Sequence, residues 1–238
     1  MSNTKNTWML LVLLISVFLS LRNPAGGPFY PVFTGRRDST ESFYEEAMAE
    51  IPRPDDIVNQ TLHLFALRGF NPRETVALLG GHNIGKIGCE FIQNRLYNFS
   101  GTGQPDPTIS PDALNEMRLN CTESNNSSND RFHAAMRSRG MGESISFHQR
   151  LSSSLSSGAG FDTHYYDSLL KGGGILFADQ QLMAEENTAR VVRAYASDDG
   201  STFRADFARV MVKLSTLSVL TGSQGQIRLN CSMPVSSK

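Results

Sequence analysis

Large apolar residues recur at helical spacing in the last part of the chain. The strongest run begins at Ser201 or Thr202. Its apolar face would be formed by Phe203, Phe207, Val210, Met211, Leu214 and Leu217. Side chains three or four positions apart lie on one face of an α-helix. The pattern therefore predicts an amphipathic helix, preceded by a second helix over residues 185–196.

A shorter helix is predicted where Val58, Leu62 and Phe65 recur at the same spacing. Asp55 can cap this helix, which is expected to end at Gly69. Glycine is common just after the C-terminal end of a helix, because it adopts the left-handed backbone conformation found there.

The next helix has a clear start signal. Asn71 is a good N-cap, Pro72 suits the first helical position, and Glu74 stands three residues after the cap. We predict a helix over 73–79 that stops at the glycine pair 80–81.

Further helices are predicted from about 82 or 84 to 96 and over 111–119, with turn residues over 98–107 between them. Asp162 is the expected N-cap of another helix. Its apolar face would carry Tyr165, Tyr166, Leu169 and Leu170, ahead of three glycines. Residues 39–49 show little periodicity. Strand-like alternation is nearly absent, so the domain is expected to be mainly α.

Residues 8–21 form an uncharged apolar run that follows a short segment with one lysine. This pattern is typical of a signal peptide. A helix of that length spans about 21 Å, against roughly 30 Å for a hydrocarbon core. We expect residues 1–25 to be a cleaved signal peptide, with an uncleaved membrane anchor as the alternative. The domain would then occupy 26–231, with a tail over 232–238.

The segment 122–160 is rich in serine, asparagine and glycine and has few large apolar residues. Such a composition cannot bury enough apolar surface to order itself. We expect a variable, partly disordered insertion in this part of the domain.

Length, net charge, cysteine count and glycosylation sequons limit the possible partners and the compartment. The chain has 238 residues, which is enough for one domain, and its formal net charge of −1 gives no support for a nucleic-acid partner. Three cysteines would leave one unpaired in an oxidising compartment. Glycosylation sequons also favour secretion; they begin at Asn59, Asn98, Asn120, Asn125, Asn126 and Asn230.

His82 is the principal candidate for chemistry, because it follows an apolar run and two glycines. A lone histidine is more often a packed or exposed residue than a metal ligand. The sequence contains neither HExxH nor CxxC, so a zinc site has no support. Haem iron needs only one protein ligand, together with an acid that orients the imidazole.

Several motifs resemble the plant secretory (class III) haem peroxidase family, in the same order along the chain. The stretch VALLGGH ending at His82 is similar to the family's proximal VALSGAHTIG motif. GGP and GRRDS lie upstream, and RLYNFSGTG, PDPT, FD-x-x-YY, ADQ and LTGSQGQIRLNC lie downstream. The resemblance covers nearly all of 25–231 except 122–160.

The resemblance implies a haem-peroxidase fold, with the proximal C-terminal domain and a short part of the distal domain. It implies haem b as cofactor, with His82 as the axial iron ligand. Asp179 would accept a hydrogen bond from the far nitrogen of His82 and give the imidazole anionic character. Hydrogen peroxide and small phenolic or similar aromatic donors would be the substrates, and Pro52 falls where the family has a donor-site proline. We expect a secreted monomer, in the cell wall or vacuole.

The resemblance also implies a disulfide between Cys89 and Cys121, which leaves Cys231 unpaired. It implies calcium as a second metal, near the haem ligand. The residues at the matching calcium positions are Asn83, Ser154, Ser157 and Asp162. Asn83 and Ser154 depart from the family's threonine and aspartate, so the implied calcium site is weak.

Family members carry a distal half in which an arginine and a histidine act on peroxide. None of His63, His133, His148 and His164 lies in a motif like the family's RLHFHDC. We therefore expect a chain without the distal half and without a distal acid or base. Two alternatives stay open: a non-catalytic remnant that binds haem weakly or not at all, and a membrane-anchored extracellular interaction module.

Overall fold

The computed structural model describes residues 26–123, 146–148, 160–233 and 235. The predicted leader, most of the predicted insertion and the end of the tail lie outside these residues. The described part is mainly α-helical, as predicted. Its α-helices are α1 (Tyr44–Glu50), α2 (Val58–Ala66), α3 (Pro72–Leu79), α4 (Gln93–Tyr97), α5 (Pro111–Asn120), α6 (His164–Leu170), α7 (Phe177–Gln180), α8 (Glu186–Ala196) and α9 (Ser201–Leu214). Short 3₁₀ turns cover Gly80–Asn83, Cys89–Phe91, Phe99–Gly101 and Gln181–Met183.

Helix α3 begins as its sequence predicts. The Asn71 side chain accepts from the Glu74 N–H at 2.9 Å, and the Glu74 carboxylate accepts from the Asn71 N–H at 3.0 Å. Pro72 occupies the first turn, where its missing N–H costs nothing. This reciprocal arrangement satisfies two backbone donors that the helix itself leaves without acceptors.

Other helix starts differ from the prediction. Helix α2 is not capped by Asp55, because its N-cap position is Ile57, whose N–H donates to Gln60 Oε1 at 3.3 Å. Asp162 lies one residue before the N-cap Thr163 of α6 and accepts from the His164 N–H at 2.9 Å. The weakly periodic segment 39–49 overlaps α1, none of whose residues is buried.

The prediction of one helix from 82 or 84 to 96 is wrong. The 3₁₀ turn Gly80–Asn83 is followed by strand β1 (Lys86–Gly88), another 3₁₀ turn and only then α4. Gly85 has φ +112°, a backbone conformation that continues no right-handed helix. Strand β1 pairs antiparallel with β2 (Ser146–His148), so a strand and a 3₁₀ turn replace the first part of the predicted helix, and only residues 93–96 of it are α-helical.

Buried apolar residues of the described part form two clusters. The larger cluster joins α3, α6, α8 and α9 around the aromatic side chains Phe161, Tyr165, Tyr166, Tyr195 and Phe203. The smaller cluster joins α4 and α5 through Ile92, Leu96, Ile109, Ala113, Met117, Cys121 and Ile175. Leu170, predicted on the buried face of α6, is instead 43% exposed, because the neighbouring Leu169 fills the core position.

Candidate functional site

His82 lies in the 3₁₀ turn that directly continues α3, and Gly80 allows this turn to approach the core. A Cβ atom at Gly80 would lie 2.2 Å from Tyr166 Oη and 2.5 Å from Phe203 Cε2. These distances are shorter than any van der Waals contact, so only glycine fits. The turn therefore packs directly on α6 and α9, and this contact sets the position of His82.

Asp179 holds one nitrogen of the His82 ring. His82 Nδ1 and Asp179 Oδ1 are 2.8 Å apart, and Asp179 is fully buried at the start of α7. With Asp179 ionised, Nδ1 carries the proton and donates it to the carboxylate. His82 Nε2 is then the ring nitrogen left to bind a ligand.

The charge of Asp179 acts on the imidazole. Burial alone would lower the pKa of His82, but the negative charge of Asp179 and its hydrogen bond outweigh burial and raise it. The same interaction makes the neutral imidazole a more basic metal ligand.

Asp179 also has two other hydrogen-bond donors. Tyr165 Oη donates to Asp179 Oδ1 at 2.9 Å, and the Leu176 N–H donates to Oδ2 at 3.3 Å. Buried carboxylates need such donors, since an unpaired buried charge is strongly unfavourable. The sequence analysis placed Tyr165 on an apolar helix face and within the FD-x-x-YY motif, and it missed the contact of Tyr165 with Asp179.

An open cavity of about 420 Å³ lies beside His82. Most of its wall is apolar; its lining residues are Ile51, Pro52, Arg53, Pro54, Thr61, Phe65, Leu79, His82, Ile87, Gly88, Phe91, Leu176 and Ala178. The His82 side chain is 44% exposed, so it is accessible to a ligand from this side. Pro52 lies in the same cavity wall as His82, although 30 positions separate them in the sequence.

These residues fit haem. A single imidazole held by a carboxylate suits haem iron, and the apolar wall suits a porphyrin. Within the described ranges, no group of three or more His, Cys, Asp and Glu residues could hold a metal ion. Haem does not need such a group, because the porphyrin supplies the other ligands.

The predicted calcium residues are only partly described. The Asn83 side chain donates from Nδ2 to the main-chain oxygen of Asp162, and its Oδ1 is buried without a hydrogen-bond partner in the described part of the chain. Asp162 Oδ1 contacts both the N–H and the ring of His164. Ser154 and Ser157 lie outside the described residues.

The cysteines follow the implied pattern. Cys89 and Cys121 form a disulfide, and Cys231 is free and exposed. The disulfide joins the turn before α4 to the end of α5, at the edge of the smaller cluster. No helix in the described ranges has the length and apolar character needed to span a membrane.

Comparison with known proteins agrees with the motifs. The family model described as peroxidase matches residues 11–198. The chain is 42% identical over 223 residues to "Putative Peroxidase 48" of Arabidopsis thaliana, covering 87% of this chain and 55% of that protein. It is 37% identical over 220 residues to Peroxidase 23 of Arabidopsis thaliana, covering 91% of this chain and 56% of that protein. It is 38% identical over 213 residues to a peroxidase of Armoracia rusticana, covering 88% of this chain and 58% of that protein.

The matched sequence thus spans little more than half the length of these curated relatives. The family model nevertheless covers most of the chain, including His82 and Asp179. The helical architecture around the His82–Asp179 pair is in keeping with this match. The chain belongs to the plant haem peroxidase family.

Proposed function

We propose that this chain binds haem b through His82 and serves the reduction of hydrogen peroxide coupled to oxidation of phenolic or similar aromatic donors. The observation that carries the proposal is the His82–Asp179 pair, with its 2.8 Å contact, at the wall of an apolar cavity. Haem iron, when bound, supplies the redox chemistry of a peroxidase.

The chain's own residues would bind and orient the cofactor. His82 Nε2 would bind the iron, while Asp179 holds the Nδ1 proton and fixes the plane of the ring. The apolar wall, including Phe65, Leu79 and Ala178, would exclude water from the porphyrin faces. Buried apolar contact would also supply much of the binding free energy.

Pro52 is the proposed contact for the aromatic donor. It precedes Arg53 and Pro54 in the same wall of the cavity, and these two prolines restrict the backbone there. A rigid apolar rim suits the flat face of a phenol. Replacing Pro52 with alanine should raise KM for a phenol more than it lowers kcat, in steady-state assays of active material.

A haem titration tests the proposal. Haemin added to the purified chain should give the absorption band of histidine-ligated haem, and His82→Ala should abolish it. His63→Ala is the matched control, because His63 is an exposed histidine on α2. An unchanged spectrum in His82→Ala would overturn His82 as the ligand.

Turnover is tested separately, by adding hydrogen peroxide and a phenol to the haem-loaded protein. Product formation that depends on His82 would support the proposed activity. Histidine-ligated haem without any turnover would leave haem binding intact and refute catalysis by this chain alone.

We also propose calcium as a second metal, with Asn83 and Asp162 among its oxygen ligands. The supporting observation is the buried Asn83 Oδ1, which has no hydrogen-bond partner among the described residues. Calcium prefers carbonyl and carboxylate oxygens. A rise in melting temperature with calcium that Asn83→Ala removes would support the site, and equal melting in calcium and in a chelator would refute it.

We propose that the protein is secreted. The disulfide between Cys89 and Cys121 supports it, because disulfides persist in oxidising compartments. Mass spectrometry of the mature N-terminus from secreted material would test removal of residues 1–25. Retention of those residues in a membrane fraction would favour an anchor instead.

A further inference from the structure

Tyr165 shares with His82 a single oxygen of Asp179. Tyr165 Oη lies 2.9 Å from Asp179 Oδ1, and His82 Nδ1 lies 2.8 Å from the same atom. We propose that Tyr165 is a positioning residue that limits how strongly Asp179 attracts the Nδ1 proton, and so sets the basicity of His82 as an iron ligand. This inference rests on the proposed haem binding through His82.

The phenol of Tyr165 is a permanent donor. Burial raises the pKa of Tyr165 well above its ordinary value, and the negative charge of Asp179 raises it further. The hydroxyl therefore keeps its proton and can only donate to the carboxylate. Hydrogen bonds to an ionised acceptor are shorter and stronger than neutral ones, so this contact withdraws substantial charge from Oδ1.

Two donors on one oxygen share its negative charge, so each of their hydrogen bonds is weaker than it would be alone. With Tyr165 bound, Asp179 accepts less strongly from His82, and the imidazole gains less anionic character. A less anionic ligand stabilises ferric iron less and raises the reduction potential. Tyr165 thus opposes the effect of Asp179 rather than adding to it.

The core holds the Tyr165 ring in place. The side chain is 1% exposed, and its ring meets the Tyr166 ring edge-on with centroids 5.0 Å apart. The ring also meets the His82 imidazole at an interplanar angle of 81°. Tyr165→Phe would keep these ring contacts and remove only the hydroxyl.

Tyr166 supplies a matched control. It is the next residue of α6 and is equally buried, but its hydroxyl donates to the main-chain oxygen of Val76 at 3.1 Å. Tyr166→Phe removes the same atom from the same core without touching Asp179, and Phe203 still packs against Gly80 and holds the turn that carries His82. Any general loosening of the fold should therefore affect both variants alike.

The first measurement uses the haem-loaded protein. Tyr165→Phe should shift the ferric–ferrous equilibrium toward ferric by about threefold, which is roughly 30 mV to more negative potential. The iron–histidine stretching frequency in the resonance Raman spectrum of the ferrous protein should rise. Tyr166→Phe should leave both values unchanged. Equal shifts in the two variants, no shift, or a shift to more positive potential would overturn the proposal.

The second measurement uses the haem-free protein, so it remains informative if haem does not bind. In protein labelled with ¹⁵N-histidine, the Nδ1 proton of His82 should move downfield in Tyr165→Phe, because its hydrogen bond to Asp179 becomes stronger. It should not move in Tyr166→Phe. An unchanged His82 resonance in Tyr165→Phe would refute the role of Tyr165 without bearing on haem binding.

A third variant should move the His82 Nδ1 proton resonance in the opposite direction. Replacement of Tyr165 by 3-fluorotyrosine keeps the shape of the ring and makes the hydroxyl a stronger donor. The His82 Nδ1 proton should then move upfield relative to the unmodified protein. A downfield shift would contradict the proposed competition for Asp179 Oδ1.

Discussion

At the scale of single residues, the position of His82 depends on the absence of a side chain at Gly80. The turn approaches α6 and α9 so closely that Tyr166 and Phe203 occupy the space of a Cβ atom. Gly81, the next residue, is not restricted in this way, because its Cβ would meet Phe207 Cε2 at an ordinary 3.6 Å. The close packing of the turn therefore requires glycine at position 80 but not at position 81.

Gly80→Ala should destabilise the fold by about 1–3 kcal/mol, because the added methyl group overpacks the core. It should also weaken haem binding, since relief of the clash moves the turn that carries His82. Urea denaturation and a haemin titration would measure the two effects. Gly81→Ala should stay within about 0.5 kcal/mol of the parent protein. Equal effects of the two substitutions would contradict the close approach at Gly80.

Motifs alone single out His82 and Asp179, and the structure brings the two side chains within 2.8 Å of each other, while their roles toward haem stay predictions. Sequence alone could not identify the role of Tyr165. The spacing of apolar residues places Tyr165 on the buried face of α6, but helical periodicity carries no information about where a hydroxyl points. The contact with Asp179, 14 residues further along, depends on how α6 packs beside α7. Ser154 and Ser157 remain predictions.

At the scale of elements, Glu74 ties α3 to α9. Its carboxylate accepts from Lys213 Nζ at 2.7 Å and from the Asn71 N–H at 3.0 Å. Burial would raise the pKa of Glu74, but the Lys213 and Asn71 hydrogen bonds and the positive charge of Lys213 outweigh burial and lower it. The Glu74 side chain thus helps to cap the start of α3 and also links α3 to α9.

Glu74→Gln should cost about 1 kcal/mol at neutral pH, a modest value because Lys213 is partly exposed and water screens the pair. Because the folded pKa of Glu74 is lowered, its stabilising contribution is present above the ordinary pKa of 4.5. That contribution is lost as pH falls through the folded pKa. The gap in unfolding free energy between the parent and the variant should therefore close at acid pH.

Urea titrations from pH 3 to 7 would measure this gap. Glu186→Gln is the control, because Glu186 pairs with Arg193 on the exposed face of α8 and its replacement should barely change stability. A gap for Glu74→Gln that is constant with pH would show that the charge of Glu74 contributes nothing.

The element boundaries show where sequence patterns succeed and fail. Helices α3, α5, α8 and α9 were predicted nearly to their ends, because the caps of α3 and α5 and the apolar face of α9 are local features. The helix prediction for the segment after His82 was wrong because Ile84, Ile87 and Phe91 are spaced as they would be on one face of a helix. Gly85 at φ +112° and the pairing of β1 with the distant β2 override that pattern. Non-local pairing leaves little trace in a window of a dozen residues.

At the scale of the whole molecule, the two buried clusters differ in how they are held. The larger cluster packs four helices around stacked and edge-on aromatic rings. The buried members of the smaller cluster are aliphatic rather than aromatic, and they include one end of the Cys89–Cys121 disulfide. Arg95 adds a buried ion pair with Asp106 at 2.7 Å. The His82–Asp179 pair belongs to the larger cluster through Tyr165.

Replacing both Cys89 and Cys121 with alanine should therefore lower the free energy of unfolding by about 4 kcal/mol, as expected when a loop of this length is released in the unfolded chain. Hydrogen exchange should rise first in α4 and α5, while α3, α8 and α9 keep their protection. Cys231→Ala is the control and should change neither quantity, because Cys231 is free and exposed. Uniform loss of protection across both clusters would mean that they unfold as one unit. In that case the disulfide would support the His82 site directly, and haem affinity should fall together with stability.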